Sequence, residues 1–168
     1  DERRTYQELS KFSRRDAERW SAYWDMWNRI IARFRPFILR PAPSLAELEA
    51  AFSGPVGRDD LRTLLVRSIA DVLDTFFDSE YIKAPLCTGG VIGVNLGPRT
   101  PGSAYVKLHH LLGNLNGHQG AWGFVRGGMG TIAEALAGYC RDHGVTILTD
   151  AEVVEIEVDN GTARAVRL

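Results

Sequence analysis

The stretch RGGMGTIAEALAGYC, Arg126 to Cys140, is the part of this sequence best suited to meet an anion. Its glycines leave backbone amides open, the positive end of the following helix favours negative charge, and Arg126 adds a fixed cation. Gly128, Gly130 and Ala133 fit the dinucleotide pattern G-x-G-x-x-[G/A], VTILTD reads as the next strand, and Asp150 closes it where a ribose-binding acid would sit. A free-standing nucleotide-binding module would use Gly128, Gly130 and Asp150. Spacing alone equally allows glycines that simply let a strand turn sharply into a packed helix. A dinucleotide fingerprint also needs a buried apolar strand before its first glycine. Here that stretch is AWGFVR, which is short, carries an internal glycine and ends in a charge, so a Rossmann loop is poorly supported.

Other residue types offer less. His109 and His110 are adjacent on an expected helix and point in different directions, whereas a two-ligand metal face prefers a four-residue spacing. No metal site is expected. No serine stands in a G-x-S-x-G setting and no cysteine or histidine lies in a nucleophile motif, so hydrolase chemistry has no support and the catalytic residues stay unassigned. Cys87 and Cys140 have neither zinc-ligand nor C-x-x-C spacing, which favours a reducing compartment.

The elements that carry these residues change character along the chain. Ser13 with Asp16 resembles a capping box, after which Trp20, Trp24, Trp27, Ile31 and Phe34 recur at helical spacing until Pro36. This aromatic stripe is read as core, not as a ligand cavity. Ser44 and Glu47 form a second capping box, and Gly54-Pro55 is expected to stop its helix. From Leu61 through Leu64, Leu65, Ile69, Val72, Leu73, Phe76 and Phe77 one continuous apolar stripe predicts one long helix. Ser79-Glu80 opens another, of uncertain shape because of Pro85 and the Gly89-Gly90 pair. A short helix is expected over Ser103 to Leu112 within a glycine-rich region, and a further one over Thr131 to His143, stopped by Gly144. VTILT, EVVEIEV and ARAVRL read as strands, the last two joined through Asn160-Gly161 as a hairpin. The fold class is α+β: a mostly helical region followed by a helix and a small β-sheet segment.

Composition narrows the partners. A formal charge of -1, from 20 basic and 21 acidic residues, provides no field to draw the chain to nucleic acid or anionic lipid. No apolar run reaches the roughly 20 residues that span a bilayer, and no signal peptide opens the chain, so a soluble, cytoplasmic protein is expected. The absence of an opening methionine is compatible with a piece of a longer polypeptide.

Taken together, GPRTPGSAYVKLHHLLG, GAWGFVRGGMGTIAEALA and HGVTILTDAEVVEIEVDNG resemble the central part of phytoene-dehydrogenase-like FAD-dependent oxidoreductases, within the amine oxidase superfamily. The resemblance is closest to the branch named for pyridine nucleotide-disulphide oxidoreductase domain-containing protein 2, and is specific from about Ile92 to Leu168. It implies that residues 1–125 form a helical substrate-binding region and residues 126–168 a loop-helix-strand-hairpin part of a split FAD-binding domain. In such proteins the dinucleotide fingerprint lies near the N-terminus, on a unit absent here, so the chain alone is expected to bind FAD weakly or not at all.

By the same resemblance, Arg126, Gly127, Gly128, Met129 and Gly130 lie near the flavin or the substrate cavity. The backbone of Val153, on a strand EVVEIEV, contacts adenine, and Tyr105, His109 and Trp122 line the substrate cavity. The implied chemistry is hydride transfer from a C–H bond of an apolar or amine-like small molecule to flavin N5, with the protein orienting the substrate and excluding water. The implied partners are that substrate and the missing remainder of the FAD domain. A homo-oligomer is compatible with this reading. A non-enzymatic helical interaction module, presenting amphipathic helices to a partner, is the other alternative.

Overall fold

The computed structural model describes residues 1–168, and its first two helices meet at Ser13. Helix α1 spans Glu2–Ser10 and α2 spans Arg14–Phe34. Ser13 takes extended backbone and its hydroxyl accepts from Asp16 N at 3.2 Å, as an N-cap requires. The return bond of a capping box is absent because Asp16 is turned to another task. Fully buried, its carboxylate accepts from Asp78 N at 3.0 and 3.1 Å and from Ser79 N at 2.8 Å. Asp16 thereby ties the first turn of α2 to the entry of α6 (Glu80–Cys87), whose N-cap Ser79 makes no side-chain cap bond.

Helix α3 (Leu45–Ala51) starts on the expected Ser44–Glu47 capping box, with both reciprocal bonds made. Gly54-Pro55 does lie beyond its end, but also opens α4 (Gly54–Val66). Proline is harmless in a first turn, where its missing N–H has no intrahelical partner. The single long helix expected from the stripe Leu61 to Phe77 is instead two, α4 and α5 (Ile69–Phe76). Arg67 is extended at φ -79°, ψ 150°, and Ser68 and Asp71 form a capping box that starts a new helix. Apolar periodicity survives the break because both segments turn the same kind of face to one core.

That core is built from α2, α4, α5 and α7 (Ser103–Leu111) around Tyr23, Trp27, Ile30, Leu64, Ile69, Leu73, Phe77 and Leu108. Trp27 and Ile31 are buried as the core reading required, while Trp20, Trp24 and Phe34 are partly buried against it. Ser103 fastens α7 to α5: its hydroxyl accepts from Ile69 N at 2.9 Å and donates to Thr100 O at 2.8 Å. A short hairpin follows, β1 (Asn114–Leu115) and β2 (His118–Gln119), turned by Asn116 and Gly117 at φ 51° and 84°.

The chain divides into two compact units, Asp1–Trp122 and Gly123–Leu168. In the second, α8 (Gly130–Asp142) ends in a Schellman motif: Val145 N donates to Cys140 O at 2.9 Å and Gly144 N to Arg141 O at 3.0 Å, with Gly144 at φ 78°. Strands β3 (Glu155–Asp159) and β4 (Thr162–Arg167) pair antiparallel through Asn160 and Gly161 at φ 49° and 76°, both positive as a type I′ turn demands. VTILT is not a strand. β3 and β4 pair only with each other, so no ladder receives VTILT, and its first amide is used to close α8. AWGFVR is likewise not a strand. The α+β class holds, with strand confined to two small hairpins. No helix is long and apolar enough to cross a membrane.

Candidate functional site

The Gly89-Gly90 pair sets the geometry of the site. These residues form a 3-10 turn after α6 and are buried. A Cβ on Gly90 would lie 2.6 Å from Ile69 Cβ, so only glycine lets the turn sit this close to α5, and one on Gly89 would lie 2.8 Å from Lys107 Cδ, so the lysine side chain on α7 would have to move aside. Lys107 is almost fully buried and its Nζ donates to Leu86 O at 3.3 Å, holding the end of α6 against α7. Burial draws the Lys107 ammonium below its ordinary pKa, an effect the neighbouring Cys87 partly offsets. Burial likewise pushes the Cys87 thiol up.

Gly89 is thus placed with its carbonyl on His110. The His110 Nδ1 lies 2.9 Å from Gly89 O and 2.8 Å from Val106 O, and Trp122 stacks on the imidazole at 5.3 Å between centroids, 21° between planes. Beside this ring lies a cleft of about 330 Å³ lined by Ile92, Gly93, Val94, Tyr105, Val106, His109 and His110. Tyr105 is braced edge-on by Phe34 at 5.9 Å. Residues 105 and 109 share a helical face, as do 106 and 110, whereas Ala104, Leu108 and Leu111 face the core.

Tyr105 and His109, expected in a substrate cavity, therefore do line one cleft, and Trp122 adjoins it through His110. His110 itself was not singled out, because next to His109 it read only as half of an unsuitable metal pair. The i−4 spacing to Val106 was visible in the sequence; the approach of Gly89 was not. A larger groove of about 610 Å³ runs between α3 and α4, but it is lined by Leu45, Leu61, Leu65 and Val66 with Arg58, Arg62, Glu49 and Ser53. It contains no oriented imidazole or phenol, so the α7 cleft is the better candidate for chemistry.

Arg126 to Gly130 and Val153 lie in the second unit. Gly127 and Gly128 take φ 89° and 91°, and Met129 is the N-cap of α8. The amides of Gly128, Thr131 and Ile132 are already donated, to Val125 O, Gly128 O and Met129 O. Val153 precedes β3, is half exposed, and lies outside the strand expected to carry it. Asp150 closes no strand; it sits at φ 53° in the loop before β3.

Residues 56–168 match the family described as flavin containing amine oxidoreductase. The chain belongs to that family. Relatives include the pyridine nucleotide-disulfide oxidoreductase domain-containing protein 2 of mouse, 37% identical over 96% of this chain, and of rat, 34% identical over 91%. The chain spans about 30% of the length of these relatives. A shorter match of 61 residues, 43% identical, covers 36% of this chain and 12% of a 4,4'-diapolycopene oxygenase from a Methylomonas species. No solved structure matches the chain.

Family membership implies a flavin, and the residues present do not make a complete site for one. No strand leads directly into the Gly127-Gly128 turn, several loop amides are already bonded, and no buried side-chain nitrogen or oxygen in residues 123–168 is left unpartnered.

Proposed function

We propose that this chain supplies the substrate-binding region, residues 1–125, and part of the FAD-binding domain, residues 126–168, of an FAD-dependent oxidoreductase acting on an apolar or amine-like small molecule. The observation that carries the reading is the family match over residues 56–168, which takes in the α7 cleft. In this reading Tyr105, His109 and Trp122 contact substrate, while Arg126, Gly127, Gly128, Met129, Gly130 and Val153 approach the cofactor. The chain's share of its relatives' length leaves room for the pyrophosphate-binding unit elsewhere in the protein.

The exposed apolar residues of the second unit suit this role. Leu136 and Tyr139 on α8 and Ile156, Val158 and Val166 on the hairpin are all more than half exposed, and the rest of an FAD domain would cover such faces. The test is to express the product of the complete reading frame and residues 1–168 side by side and follow bound flavin by absorbance and fluorescence. FAD retained by the longer product and not by the shorter supports the proposal. If the complete product holds no FAD, the oxidoreductase reading fails and a non-enzymatic helical interaction module, presenting amphipathic helices to a partner, takes its place.

A further inference from the structure

His110 is chemically unlike the other residues of the α7 cleft, because its tautomer is determined by its neighbours. Both atoms that approach Nδ1, Gly89 O at 2.9 Å and Val106 O at 2.8 Å, are carbonyl oxygens and can only accept. Nδ1 must therefore carry a proton, and the neutral ring has its lone pair on Nε2. Nε2 has no partner within the chain, yet it is not among the sealed, unsatisfied polar atoms, which are Tyr23 Oη, Trp27 Nε1 and Asp60 Oδ2. An acceptor that is not sealed off is thus held in orientation by two carbonyls and by the stacked Trp122 ring.

The surroundings say what such an acceptor suits. Ile92, Val94 and Val106 make the cleft walls apolar, and no carboxylate lines it. An ammonium ion would lose hydration there without gaining a counter-charge. A neutral hydroxyl or N–H would find an oriented acceptor in His110 beside the apolar Ile92, Val94 and Val106, in a cleft that Tyr105 and His109 also line. We propose that His110 is a specificity-determining residue whose Nε2 accepts a hydrogen bond from a neutral O–H or N–H donor on an otherwise apolar ligand. Calling that ligand the substrate rests on the oxidoreductase reading; the binding chemistry does not.

The experiment uses the uniformly ¹⁵N-labelled protein and two probes, benzyl alcohol and benzyl methyl ether, which share an aromatic body but differ in having a donor. On the neutral ring, long-range ¹H–¹⁵N correlation should show the His110 proton on Nδ1. Its Nε2 resonance should shift on titration with the alcohol and not with the ether. His110→Asn keeps a donor for the two carbonyls while deleting the Nε2 acceptor, and should weaken alcohol binding roughly five-fold, about one net hydrogen bond. An Nε2–H tautomer, equal response to both probes, no binding of the alcohol, or an unchanged alcohol affinity in His110→Asn would each overturn the proposal. Should the variant fail to fold, the tautomer and the probe-specific shift in the unsubstituted protein still decide the matter. Neither readout involves flavin, so a protein that retained no FAD would still answer for His110.

Discussion

Asp16 shows how one side chain can join two helices. Its carboxylate holds the Asp78 and Ser79 amides from inside the core, so Asp16→Ala leaves those donors without a partner. A loss of about 1–3 kcal/mol is expected, read as a lower urea midpoint, with Asp16→Asn intermediate because one acceptor remains. Glycine substitutions should differ in sign. A Cβ at Gly57 would meet Phe52 O at 2.4 Å, whereas at Gly138 nothing lies within 4 Å. Gly57→Ala is expected to destabilise by about 1–3 kcal/mol through forced repacking, and Gly138→Ala to stabilise α8 by roughly 0.5–1 kcal/mol. Equal effects at the two sites would refute the close approach of α4 to Phe52. Lys107 predicts a pH dependence. Because burial lowers its folded pKa, the unfolded chain holds that proton to higher pH, and stability from this group rises from the lowered value up to about pH 10.4. Tyr23 and Cys87, both pushed up by burial, act oppositely, since their unfolded forms ionise first as pH rises. The difference between the native protein and Lys107→Met reports the lysine together with its coupling to Cys87. The variant should be ahead by most near pH 7 and by least near pH 10, and a gap constant across that range would contradict a buried, pKa-lowered ammonium.

The break between α4 and α5 depends on Ser68. Its hydroxyl accepts from Asp71 N at 3.1 Å while Asp71 Oδ2 accepts from Ser68 N at 3.3 Å. Ser68→Ala should cost about 1 kcal/mol by urea titration, and a neutral result would mean that the Ser103 contact to Ile69 N alone starts α5. The signals for these features were present in the sequence with unequal strength. The capping pair Ser44 and Glu47, the stop at Gly144 and the Asn160-Gly161 turn were legible because each is a local rule satisfied within a few residues. The Ser68–Asp71 box and the Asn116-Gly117 turn obey the same rules. They went unread because a continuous apolar stripe and a glycine-rich context masked them. VTILT has strand composition but no strand partner in this chain, and β structure depends on a neighbour as much as on its own residues.

The two compact units differ in how they are stabilised. All the buried apolar side chains belong to Asp1–Trp122, whereas Gly123–Leu168 buries none completely. Limited proteolysis is therefore expected to cut first between Trp122 and Gly130, where backbone bonds are few, leaving a helical product that still unfolds cooperatively. Mass spectrometry identifies the site, and first cleavage inside α2 or α7 would sink this expectation. Periodicity, capping pairs and turn glycines were sufficient to read a helical first half and an α+β class, since each is written over short chain separations, whereas the resemblance to flavin oxidoreductases rested on the stretches GPRTPGSAYVKLHHLLG, GAWGFVRGGMGTIAEALA and HGVTILTDAEVVEIEVDNG. Tyr105 and His109 could be nominated for one cleft by that resemblance. The placement of the Gly89 carbonyl on His110, the seating of Asp16 under α6 and the burial of Lys107 joined residues 21 to 63 positions apart. Such contacts arise from packing against a shared core, and no local pattern encodes the meeting of side chains so distant along the chain.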